Sequence, residues 1–131
     1  MIQFEGMAFS YRLFLLIFLV LILFVSVLNA YFLWTENIRW FDEALHLTGG
    51  VWVGLAVLGL ARRESLLRGV FLALSSAALV GVGWEWFEFG IDQWIGLGLM
   101  NLPDTLSDLF FDLFGSLMSS VIFFLWMRKK N

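Results

Sequence analysis

Apolar residues run along this chain in four blocks separated by short polar punctuation. Residues 11–34 are Leu, Phe, Val and Ile almost throughout, with only Ser26 and Asn29 polar in the interior. Residues 42–61 open with D-E-A-L-H-L-T-G-G and carry Gly49, Gly50, Gly54 and Gly59. Residues 66–90 hold Ser75, Ser76, Gly81 and Gly83, and run into W-E-W-F-E-F-G-I-D. Residues 105–127 follow a short connection, 93–103, in which Gly96 and Gly98 act as breakers. About 20 apolar residues suffice to cross a bilayer, and each block meets that length. The first is too long for a signal-peptide core, and Asn29-Ala30-Tyr31-Phe32 is a poor cleavage site. The pattern predicts an all-α polytopic membrane protein: a four-transmembrane-helix bundle, with residues 1–131 forming a single membrane domain. Short loops predict that consecutive helices are antiparallel neighbours. The first span is expected to face lipid and shield the others. Asp104, directly after Pro103, is the expected cap of the fourth helix.

Composition sharpens this picture. At 61% apolar and 15% charged, a chain of 131 residues has more apolar surface than a soluble core of its size could bury. The absence of cysteine excludes disulfides and thiolate metal sites. No P-loop, G-x-S-x-G or H-E-x-x-H pattern occurs, and nothing points to nucleic acid. Four spans put the N-terminus, the 62–68 loop and the C-terminus on one side. That side collects Arg12, Arg62, Arg63, Arg68, Arg128, Lys129 and Lys130, against Arg39 alone on the other. The positive-inside rule then predicts both termini cytoplasmic, in a multi-pass protein of the cell inner (plasma) membrane. Tyr31, Phe32, Trp34, Trp40 and Trp94 are expected as interfacial anchors. Of the acids, Glu5 and Glu64 lie inside. Glu36, Asp42, Glu43, Glu85, Glu88, Asp92, Asp104, Asp108 and Asp112 gather at or below the outer surface.

Those acids are the candidate chemistry. Asp42 and His46 are i, i+4 on the second span and share a face. Glu85, Glu88 and Asp92 are i, i+3, i+7 on the third. Asp104, Asp108 and Asp112 stack along the fourth, drifting about 40° per step, with Asp112 about 12 Å deeper than Asp104. Each carboxylate in the apolar layer costs at least about 2.5 kcal/mol. Seven carboxylates and one imidazole at one end of a bundle cannot all ionise without counter-charge. No Lys or Arg lies in the spans near these acids, since Arg12 and Arg68 fall at the opposite ends of theirs. Protons or metal ions remain. Oxygen ligands with one imidazole suit Mg²⁺, Mn²⁺ or Ca²⁺, and less exclusively Zn²⁺ and Fe²⁺. The spacing is not the Glu-x-x-His pattern of di-iron bundles. Glu43 reads as interfacial, Asp92 and Asp104 as near the surface, and Asp108 and Asp112 as deepest.

At these same residues the chain resembles two groups of small bacterial membrane proteins. The YjdF-like pattern has D-x3-H at a helix start, E-x2-E-W later, and W-D-T-Q-x-D-M before an apolar helix. Asp42 with His46, Glu85 with Glu88, and P-D-T-L-S-D-L for Asp104 and Asp108 match it. The VanZ-like pattern has D-K-x2-H-F, E-x2-Q and D-x3-N-x2-G. Asp42, His46, Glu85, Asp108 and Gly115 fit, while Glu88 replaces Gln and Asp112 replaces Asn. The resemblance covers residues 40–120. Leu47 stands where an aromatic follows the histidine, and Pro103 where a Trp precedes the acid. VanZ-like proteins are linked to glycopeptide resistance, so the resemblance implies work near envelope lipids or wall precursors.

The expectation is a divalent metal site (Mg, Mn, Ca or Zn) at the outer face, with Asp42, His46, Glu85, Glu88, Asp104, Asp108 and Asp112 as ligands. Glu85 and Asp108 are the expected general bases in a metal-dependent hydrolysis or transfer on a lipid or lipid-linked phosphate. The partners are the bilayer and that substrate, and the chain is open to oligomer formation. Two other classes stand beside it. One is a proton- or cation-coupled transporter or channel subunit. The other is a non-catalytic structural or accessory protein whose protonated acids hold the helices together.

Overall fold

The computed structural model describes residues 9–32, 38, 40–96, 98 and 101–128. The expected placements of Glu5, Trp34, Glu36, Arg39, Lys129 and Lys130 lie outside the described residues. The architecture is all-α: α1 (Phe9–Phe32), α2 (Phe41–Leu60), α3 (Leu66–Ile95) and α4 (Leu102–Arg128). Each is long and apolar enough to cross a membrane. Lipid replaces a large interior as the apolar solvent, so few apolar side chains are buried. Leu13, Phe14, Leu16, Ile17, Val20 and Leu21 of α1 are all exposed.

The packing order is not the chain order. α2 packs most closely on α4, and α3 covers both. Glycine is the reason. A Cβ on Gly50 would overlap the backbone carbonyl of Asp112, reaching its carbonyl carbon at 2.7 Å. A Cβ on Gly115 would overlap the carbonyl of Leu47 and come within 2.8 Å of the Val51 nitrogen. The two helices therefore cross with backbone against backbone, an approach small residues allow in membranes. Consecutive helices are neighbours as expected, and the closest contact is the additional one between α2 and α4.

α1 leans on α2 alone and does not wrap the bundle. Two hydrogen bonds fix it. The Tyr11 hydroxyl donates to the Leu55 carbonyl at 2.7 Å, and Trp52 Nε1 donates to the Leu15 carbonyl at 2.8 Å. Shielding by the first span is thus confined to one flank of α2.

The helix ends follow their residues. Ser65 caps α3, accepting from the Arg68 amide at 3.4 Å, and Glu64 pairs with Arg68 at 3.1 Å across the exposed turn. α3 continues through Gly90 to Ile95, five residues beyond the expected limit, and stops at Gly96 with φ 75°. That left-handed conformation is one glycine adopts without strain. α4 is capped by Asn101, whose side-chain oxygen accepts from the Asp104 amide at 3.1 Å. Asp104 is therefore not the cap; it occupies the first turn, where a negative charge suits the helix dipole.

Candidate functional site

His46 is at the centre of the polar end of the bundle. It lies one turn into α2, about 7.5 Å from the helix start at 1.5 Å per residue. Its ring is 5% exposed, and the two ring nitrogens face different helices. Nδ1 lies 3.2 Å from Asp112 Oδ2 on α4. Nε2 lies 3.7 Å from Glu85 Oε1 on α3. Three helices meet at one imidazole.

Local sequence explains the meeting. Asp42 stands one helical turn before His46, so both face the same way. Glu85 and Glu88 are i, i+3 on α3, and Asp108 and Asp112 are i, i+4 on α4. Space for the Asp112 carboxylate comes from Gly81: a Cβ there would overlap Asp112 Oδ2 and come to 3.1 Å from its Cγ and from Leu109 Cδ2. The Gly50 contact presses the Asp112 backbone against α2. Asp112 is thus confined from two sides.

Two groups of three side chains are close enough to share an ion. One ligand atom from each of Asp42, His46 and Asp108 lies within 4.8 Å of the others, and the same holds for His46, Glu85 and Glu88. His46 belongs to both. Glu85, Asp108 and Asp112 are buried, at 5%, 3% and 7% exposure. Asp42 and Glu88 are half-buried. Asp104 is exposed and falls in neither group, and Asp112 meets the site through His46.

His46 is the one basic group in contact with these carboxylates among the described residues. Glu85 Oε1 and Asp108 Oδ1 are buried oxygens without a hydrogen-bond donor. No Lys or Arg occurs in residues 40–61 or 69–127. Burying an unpaired polar atom costs about 1–3 kcal/mol, and more for a charge. Such atoms are stabilised by protonation or by a neighbouring cation. A set of one imidazole nitrogen and several carboxylate oxygens matches the donor preferences of divalent ions.

Several contributors escaped the sequence reading. Trp84 donates from Nε1 to Glu88 Oε1 at 2.8 Å. Their i, i+4 spacing was the available signal. Glu43, read as interfacial, is half-buried, and its Oε2 is buried without a donor. Asp92 is buried at 8% exposure, not solvated at the surface. Trp40, Trp86 and Trp94 are exposed, as interfacial anchors require.

Fold and site together define an integral membrane protein of four helices with a buried histidine–carboxylate cluster. The chain belongs to the family described as Predicted membrane protein (DUF2238), whose model matches residues 4–129. Comparison with curated proteins and with solved structures returned no match.

Proposed function

We propose that this chain is a plasma-membrane metalloprotein whose α2, α3 and α4 hold a divalent cation at the outer face. The observation that carries this reading is the pair of buried, donor-less oxygens, Glu85 Oε1 and Asp108 Oδ1, both in ion-sharing groups with His46. The outer placement is supported by the basic residues. Arg62, Arg63 and Arg68 lie at the opposite end of the bundle, and the cytoplasmic side of a membrane protein collects Lys and Arg. His46, Glu85, Glu88, Asp42 and Asp108 are the residues that hold the ion.

The reaction we favour is hydrolysis or transfer at a lipid-linked phosphate of the envelope. A bound divalent ion supplies Lewis-acid polarisation and an activated water. Glu85 or Asp108 is placed to take the proton as general base. The YjdF-like and VanZ-like resemblance supports a role near envelope lipids. The test is elemental analysis of detergent-purified protein. Wild type is expected to retain about one or two divalent ions per chain. Folded Glu85→Gln and Asp108→Asn variants are expected to retain none. A wild type empty after exposure to Mg²⁺, Mn²⁺, Ca²⁺ and Zn²⁺ contradicts the reading.

One observation favours a second reading, a proton or cation path. Below Asp112, α4 buries Ser116, Ser119 and Ser120 at i+4, i+7 and i+8, so the polar seam continues inward. Proteoliposomes with a pH-sensitive dye separate the two: a path gives proton flux that Asp108→Asn abolishes, and a closed metal site gives none.

A further inference from the structure

Resting on the metal reading above, we infer that His46 binds the ion through Nε2 only, and that Asp112 is a positioning residue that fixes the ring from behind. The two ring nitrogens are in different situations. The Nδ1 to Asp112 Oδ2 distance of 3.2 Å is a hydrogen bond. The Nε2 to Glu85 Oε1 distance of 3.7 Å is too long for one. Two donor atoms about 2.0–2.2 Å from a tetrahedral ion are separated by about 3.4 Å, so an ion shared by these two atoms needs them to close by only about 0.3 Å.

Asp112 lacks the freedom to turn to the ion. Its carboxylate fills the space that Gly81 leaves open, and its backbone is pressed on Gly50. It belongs to neither ion-sharing group, whereas Glu85, Glu88, Asp42 and Asp108 do. An acceptor held at Nδ1 keeps the proton on that nitrogen and leaves the Nε2 lone pair free. Metal-binding histidines generally have such a partner on the other ring nitrogen. The donor set therefore comprises Nε2 with carboxylate oxygens of Glu85 and Glu88 on one side and of Asp42 and Asp108 on the other. That composition selects oxygen-preferring ions that accept one imidazole, such as Mn²⁺ and Zn²⁺.

The chain has one histidine, so ¹⁵N labelling of histidine reports this ring alone. In metal-free protein the expected tautomer carries its proton on Nδ1. Adding Zn²⁺ should shift Nε2 and leave Nδ1 a protonated N–H. Asp112→Asn is expected to weaken Zn²⁺ binding about 10- to 100-fold while reaching wild-type stoichiometry at saturation. Glu85→Gln should lose the ion. A Zn²⁺-induced loss of the Nδ1 proton overturns the assignment but leaves the metal reading standing. The same holds if Asp112→Asn is as empty as Glu85→Gln. A ring on which saturating Zn²⁺ moves neither nitrogen overturns both.

Discussion

The α2–α4 seam has two ends built by the same device and used differently. At both, a glycine on α2 brings the helices into close contact: Gly50 against the backbone of Asp112, and Gly54 against Ser116 and Ser119. At the Gly54 end two of the three buried serines satisfy themselves, while Ser116 Oγ has no partner among the described residues. Ser119 Oγ and Ser120 Oγ donate to the Ser116 carbonyl at 2.8 and 2.9 Å, within their own helix. Beyond them, Leu58, Ala73 and Phe123 close an apolar cluster. At the Gly50 end the groups are acceptors facing acceptors, around one imidazole. A serine in an apolar seam can return its proton to its own helix turn. A carboxylate cannot, so its partner must come from another helix, a proton or an ion. The difference separates packing from chemistry along one interface.

Five substitutions break or sharpen that contrast. The largest effect belongs to the shared device. Gly50→Val or Gly115→Val places side-chain atoms where the facing backbone already lies, and overpacking of this kind should cost about 3 kcal/mol or more. Unfolding in detergent would show it as loss of the folded bundle, removing both ends together. Glu85→Gln comes next and acts on the site alone. Ion content should disappear, while metal-free stability stays level or rises, because an unpaired buried carboxylate is replaced by an amide. A Glu85→Gln protein that no longer folds would make the cluster structural. Ser119→Ala tests the other end: about 1 kcal/mol lost with its hydrogen bond, and metal content unchanged. Smallest is Asp104→Asn. Its side chain is exposed and outside both ion-sharing groups, so bound metal should stay at the wild-type level by elemental analysis.

The sequence and the structure part company at identifiable places. Four apolar blocks were legible because membrane spans are continuous and need no alternation. The i, i+4 pair Asp42–His46 and the i, i+3 pair Glu85–Glu88 were legible because helical spacing alone puts them on one face. The close backbone contact between α2 and α4 was not. The partner of Gly50 is the backbone of Asp112, 62 residues on, and no local pattern encodes that contact. For the same reason Asp112 read as one more ligand in a ladder. Its contact with His46 Nδ1 depends on the three-helix packing. The helix cap went to Asn101 over Asp104 because Pro103 fits inside the first turn, where its missing N–H costs nothing.

The central claim is an ion bound jointly by the imidazole and the carboxylates. X-ray absorption at the metal edge of protein loaded with Zn²⁺ addresses it most directly. The account predicts a first shell of one imidazole nitrogen with oxygens at about 2.0–2.2 Å, and loss of the imidazole scattering in a His46→Ala protein. An all-oxygen shell, identical in wild type and His46→Ala, would contradict it.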